Sequence, residues 1–169
     1  MILNLGYFEF MSDAQISDLI DCPKLWLEPL LLNKLTQGQH QISLQLLGLD
    51  TKGSSFVVYL RQNLRKGMAL DFSCGIRLET NGQYPIHLRR YNGPSHNHYN
   101  QIEKKRIGYQ CHIHMATNRY FDAGLKPEGY AETTQRFRSL DSAFSCLVSD
   151  CNIKKSNELV FLIKDLLYL

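Results

Sequence analysis

The chain lacks any run of the roughly 18 to 20 apolar residues that a membrane-spanning helix requires, so no helical membrane span is expected in it. Its first ten residues, MILNLGYFEF, have no basic start and meet an acidic residue at Glu9, which argues against a secretory leader. The five cysteines (22, 74, 111, 146 and 151) contain no CxxC pair and leave one unpaired in any disulfide scheme. A reduced, cytoplasmic setting fits that usage best, with Cys111, on the apolar side of its strand pattern, read as a buried structural thiol. Prolines number only five, and no repeat or low-complexity segment interrupts the chain. Nor is there a strong charge of one sign. Nineteen Lys and Arg against sixteen Asp and Glu leave a net +3, which permits a polyanionic partner without demanding one.

What is present is ample core material. With 44% hydrophobic residues in 169, one domain spanning 1–169 is expected. Ser12 and Gln15 form a capping-box pattern ahead of Ile16, Leu19 and Ile20 at helical spacing. Pro23 ends that helix, and LWLEPLLLNKL (25–35), broken by Pro29, reads as a second short helix or a packed irregular segment. Residues 1–38 are therefore expected to be an N-terminal helical segment. From His40 the period becomes two, and Ile42, Leu44 and Leu46 alternate with Gln41, Ser43 and Gln45 as a half-buried strand. DTKG (50–53) turns the chain into SSFVVYLRQ (54–62). An antiparallel sheet over 40–116 follows. Ser139 caps a helix with Leu140, Ala143, Phe144 and Leu147 on one stripe, and SNELVFLIKDLLYL closes the 139–169 region as a helix apolar nearly all round. The fold class is α+β: an antiparallel sheet of about five strands, helices packed on one face, and a His/Arg-rich opposite face.

The hairpin around Thr80-Asn81-Gly82 sets which side chains share that face. A two-residue turn would pair Ile76 with His87. A three-residue turn closed by Gly82 would pair Leu78 with Tyr84, Ile76 with Ile86 and Cys74 with Leu88. The second register keeps one face apolar and is the expected one. It places Arg77, His87, Arg89 and Tyr91 on the other face. In QCHIHMATNRY (110–120), Cys111, Ile113 and Met115 point one way and His112 and His114 the other. A polar loop over 92–108, carrying His96 and His98, links the two strands.

Five of the six histidines thus fall between 87 and 114. A solvated sheet face is one reading. A metal site is another. His96/His98 and His112/His114 are two HxH pairs whose rings stand about 6 to 7 Å apart along a strand, and imidazole suits zinc or a similar ion. Several arginines (Arg89, Arg90, Arg106, Arg119) nearby weigh against a dication. The third reading is metal-free cleavage of RNA. Histidine serves as acid or base near neutral pH, arginine grips phosphate, and tyrosines stack bases.

The strings HLRRYNGPSHNH and CHIHMATNRY resemble a family of small bacterial and prophage proteins. In that family an arginine-bearing strand leads into Asn-Gly-x-x-His and a His-Ile-His strand follows. The matching residues are Arg89, Asn92, Gly93, His96, His112 and His114, with looser likeness at YAETT and LVSDCNI. Where the family often carries an Asn-Pro-Asp-Gly turn, this chain has NHYNQIEKK. The resemblance implies a bacterial or mobile-element origin and a shared site, and it brings no activity with it.

The leading expectation is a nucleic-acid-directed protein, a small metal-independent endoribonuclease of toxin or defence type, needing no cofactor. Its catalytic residues are expected to be His112, His114 and His87. Arg89, Arg119, Tyr91, Tyr120, His96 and His98 would bind substrate. The alternatives are a metal-binding protein using His96, His98, His112 and His114, and a non-catalytic phage or mobile-element interaction protein. Partners are RNA or DNA, with no membrane. The C-terminal helix would bury its surplus apolar residues, Val160, Phe161 and Leu167, against a second copy or a protein partner.

Overall fold

The capping box at Ser12 forms as the sequence expects. Ser12 Oγ accepts from the Gln15 amide (3.2 Å), Gln15 Oε1 accepts from the Ser12 amide (2.8 Å), and helix α1 (Asp13–Asp21) follows with Ile16 and Ile20 buried. The computed structural model describes residues 11–35, 39–80 and 84–154, with 27–35 and 39–40 described by backbone alone. The expected C-terminal helix over 156–169, with its proposed partner surface, and the turn at 81–83 lie outside the described residues.

After α1 the chain departs from expectation. Residues Lys24–Leu35 form an edge strand, β1, where a helical or irregular segment was expected. Pro29 is accommodated because the pairing with β2 (Gln39–Gly48) skips. Leu27 faces Gln45 and Leu31 faces Ser43, so residues 28–30 oppose a single partner position. Proline has no amide to give to a ladder and is tolerated on edge strands and at bulges. The bulge also breaks the period-two pattern that would have marked the strand.

β2 and β3 (Ser55–Asn63) pair as read, around a turn with Gly53 at φ 62°. β4 (Phe72–Leu78), β5 (Ile86–Asn92), β8 (His112–Met115) and β9 (Tyr130–Thr133) extend a fully antiparallel seven-stranded sheet in the order β1-β2-β3-β4-β5-β8-β9. The sheet is thus larger than the expected five strands, because β1 and β9 were read as helix and loop. Between β5 and β8 the polar loop is itself a hairpin, β6 (His98–Asn100) with β7 (Lys105–Ile107).

One face of the sheet carries Ile42, Leu44, Leu46, Phe56, Val58, Leu60, Phe72, Cys74 and Ile76. It packs under α1 and under α3 (Leu140–Asp150), whose Leu140, Ala143, Leu147 and Val148 are buried. Ser139 caps α3, its Oγ accepting from the Ser142 amide (3.3 Å). Gly93 follows β5 where the backbone runs tight against its neighbours. A Cβ there would come within 2.2 Å of the Leu70 carbonyl and 2.8 Å of the Phe72 ring, so no larger residue fits.

The β4–β5 register differs from both expected registers and decides what faces the site. Leu78 pairs with Ile86 and Arg77 with His87, but Ile76 pairs with Arg89, Gly75 with Arg90 and Cys74 with Tyr91. Leu88 is the extra residue of a bulge. A bulge inserts one residue and shifts alternation by one beyond it. Arg89 and Tyr91 therefore face the α3 side, while Arg90 and Asn92 take the face expected for Arg89 and Tyr91.

Candidate metal centre

β5 and β8 pair Arg90 with His114 and Asn92 with His112, which puts these four side chains on the sheet face away from α1 and α3. The histidines do converge there, yet the face is covered rather than open. His112 is 0% and His114 2% exposed, beneath the β6–β7 hairpin and the stretch that enters β9. His98 stacks on His112 (ring centroids 5.8 Å apart, 18° between planes) and meets His114 edge-on at 4.5 Å. His96 meets His112 edge-on at 5.1 Å. One ring nitrogen from each of His96, His112 and His114 lies within 4.8 Å of the others.

The hydrogen bonds fix which nitrogens are available. His112 Nδ1–H donates to the Gln110 carbonyl (2.7 Å), and His114 Nδ1–H donates to the Glu128 carbonyl (2.9 Å). Each ring is thereby held in the tautomer whose Nε2 carries a lone pair, as metal-ligating imidazoles are. His96 Nδ1 lies 3.3 Å from Ser95 Oγ, and that hydroxyl donates to Asp71 Oδ1 at 3.3 Å. Asp71 also accepts from Arg61 (2.6 Å) and Asn63 (3.0 Å). This carboxylate–serine–histidine chain orients His96 in the same sense. His98 is different. Its Nε2 points at Asn100 Oδ1 (2.9 Å) and the Gly129 carbonyl (3.0 Å), so its proton is committed there and the ring serves as a wall of the cluster.

Burial sets the protonation state. It pushes the His112 pKa down to about 4, helped by His96, His98 and Arg90, and that of His114 down to about 2, helped chiefly by Arg90. Burial also lowers His96, the exposed member through which the cluster meets solvent. Neutral imidazoles are ligands and bases near neutral pH; they lack the imidazolium proton that a general acid gives up.

Two polar groups at the cluster are left wanting. Asn92 Nδ2 donates to His112 Nε2 at 3.3 Å, while its Oδ1 is buried without a hydrogen-bond partner. Arg90 places a terminal nitrogen 3.3 Å from His114 Nε2, and its Nε is buried and unpartnered. A buried polar atom without a partner costs about 1–3 kcal/mol unless something supplies one.

The remaining expected site residues lie elsewhere. Arg89 faces Asp150 on α3 (3.7 Å), and Tyr91 is buried with its hydroxyl donating to the same carboxylate (2.8 Å). Both were placed with the histidines by a register that the Leu88 bulge overturns. Arg119 and Tyr120, on the short helix α2 (Asn118–Asp122), hold Glu103 at 2.5 and 2.7 Å, and Arg119 also stacks over Tyr130. They fasten the β6–β7 hairpin by the carboxylate between its strands. His87 shares the histidine face but is engaged with Tyr59 (3.3 Å) and borders a separate apolar cavity of about 440 Å³ with Ile86, Thr117, Phe121 and Leu125. Of the arginines counted against a dication, only Arg90 bonds to a cluster histidine among the described residues.

Sequence reasoning had Arg90 only as one of several nearby cations and Asn92 only through the resemblance, and it missed Asn100. The amide of Asn100 pairs with the backbone of Ala131, its Nδ2 donating at 2.8 Å and its Oδ1 accepting at 2.9 Å. It caps the free edge of β9 and ties the hairpin down over the histidines. Comparison of the chain with protein-family models, curated proteins and solved structures found no match.

Proposed function

We propose that this protein binds a single transition-metal ion through His96, His112 and His114, in a centre of the open, three-ligand kind. The observation that carries the reading is the convergence of three imidazole nitrogens within 4.8 Å, two of them on rings held neutral and locked by backbone carbonyls. Nitrogens on one tetrahedral ion with bonds of about 2.0–2.1 Å stand about 3.3 Å apart, so the three rings would close on an ion from within the 4.8 Å they span here. An all-imidazole set suits zinc, cobalt, nickel or copper better than magnesium or calcium. Three protein ligands leave a fourth position, which distinguishes catalytic sites from closed structural ones. Zinc titrated into dialysed protein should bind at one equivalent per chain. His112→Ala and His114→Ala should abolish that binding with the fold intact by circular dichroism, and His87→Ala should not. Weak binding indifferent to His114→Ala would overturn the reading.

A second reading, metal-free cleavage of RNA, has one observation in its favour. Lys104, Lys105 and Arg106 form an exposed basic edge on the hairpin over the histidines, suited to a phosphate backbone. The exposed His96 would be its proton-exchanging group. It requires RNA cleavage that survives EDTA and is lost in His96→Ala.

A further inference from the structure

The charge balance of the cluster is incomplete, and the missing charge has a shape. Three neutral imidazoles leave both positive charges of a bound dication uncompensated. Arg90 adds a third beside it, 3.3 Å from His114 Nε2. Among the described residues no carboxylate forms an ion pair with Arg90. Two acidic groups around the hairpin are already engaged: Asp71 is held by Arg61 and Asn63, and Glu103 by Arg119 and Tyr120. Glu128 meets His114 through its backbone carbonyl, and its carboxylate acts on His87 and Tyr59 without an ion pair to Arg90. A half-buried guanidinium with no counter-ion is an unfilled anion site unless an anion arrives from outside the chain.

We propose that the fourth position of the centre takes a terminal phosphate, free or as a monoester, with Arg90 as the residue that binds it. This rests on the three-histidine metal reading. Arginine presents a fork of parallel donors; here Nε is buried without a partner, and the terminal nitrogen is released once His114 Nε2 ligates. Two anion oxygens fill that fork, and a third is needed for the ion. A terminal phosphate has three free oxygens; a phosphodiester and a carboxylate have two. The neighbouring Asn92 amide, bonded to His112 Nε2 only at 3.3 Å, is a further donor released once that nitrogen ligates. The Leu88 bulge is what makes this possible, since without it Arg89 and not Arg90 would face the histidines.

The test uses the full chain loaded with one equivalent of cobalt(II), whose visible spectrum reports its own coordination. Inorganic phosphate, a nucleoside 5′-monophosphate, a dinucleoside phosphate and acetate are titrated into wild type and Arg90→Met. The expected result is a spectral change with phosphate and the monophosphate, at least tenfold weaker with the diester and acetate. In Arg90→Met, phosphate binding should fall at least tenfold while cobalt binds as tightly or more tightly, because a repelling charge has gone. Opposite movement of the two affinities is something a loss of fold would not produce. Acetate or the diester binding as tightly as phosphate would overturn the terminal-phosphate assignment, as would equal phosphate affinity in Arg90→Met. Failure to bind cobalt at all would appear before any anion is added and would remove the metal reading itself.

Discussion

Arg90 and His114 face each other across β5 and β8, a guanidinium nitrogen 3.3 Å from an imidazole Nε2. Both partners lack what they would ordinarily have. The arginine has no carboxylate among the described residues, and burial and the arginine together hold the imidazole neutral. The pair separates two adjacent arginines by role, since Arg89 turns to the opposite face and meets Asp150.

That separation predicts opposite phenotypes. Asp150 accepts from Tyr91 (2.8 Å) and from both terminal nitrogens of Arg136 (2.7 and 2.8 Å), besides lying near Arg89. Asp150→Ala should cost about 1–2 kcal/mol of stability, chiefly because the buried Tyr91 hydroxyl loses its acceptor while the Arg136 pair is half exposed, and leave metal affinity unchanged. Urea unfolding and zinc titration of the same variant check both halves.

Asn100→Ala should do the reverse. It unties the hairpin from the edge of β9 and so loosens His98, and with it the cover over His112 and His114. Removing a group that supports metal ligands typically lowers affinity 10- to 100-fold. A loss of that size with a native circular dichroism spectrum is expected; unchanged zinc affinity would show that the hairpin does not position the ligands.

Lys24 is fully buried, and its ammonium donates to the carbonyls of Ile20 (2.8 Å), Cys22 (2.8 Å) and Cys151 (2.9 Å). It gathers the C-terminal carbonyls of α1 and α3, which helices leave unpaired, while the Phe56 ring lies 4.9 Å beneath it. Lys24→Met should lower stability by at least about 2 kcal/mol, because the carbonyls stay buried without their donor. Thermal unfolding measures this, and a neutral result would contradict the role.

The histidines also predict how stability varies with pH in metal-free protein. Their folded pKa values lie below the unfolded value near 6.5, at about 4 for His112 and about 2 for His114. Below pH 6.5 the unfolded chain therefore takes up protons that the folded chain refuses. Stability should fall as pH drops from 6.5 toward 4, by up to about 1.4 kcal/mol per pH unit for each histidine. Denaturant unfolding in EDTA at pH 7.5 and 5.5 should show this loss, and His112→Gln should show less of it. Equal slopes in the two proteins would count against the burial of His112.

Much of the frame was legible in the residues. The capping box at Ser12, the cap at Ser139, the alternation at 42–46 and the opposite sides taken by Ile113 and His112 are local patterns, and each formed. What was hidden were the two bulges. Pro29 sits in one and disguised an edge strand as a helix. The extra Leu88 in the other exchanged Arg89 for Arg90 at the histidines. A bulge is fixed by packing across strands, here by Leu88 filling the core while Ile76 stays opposite Arg89, and no local pattern announces it. The convergence of His96 was equally non-local, because a 92–108 loop read as open folds back as a hairpin anchored by Asn100 and Glu103.

The central claim is that His96, His112 and His114 ligate one ion. Crystals of the zinc-loaded protein, measured on both sides of the zinc absorption edge, test it most directly. A single anomalous peak per chain, about 2.0–2.1 Å from one nitrogen of each of the three rings, is the result expected. A map with no peak there, or with zinc held by other side chains while His112 Nε2 and His114 Nε2 keep Asn92 and Arg90 as their neighbours, would contradict it.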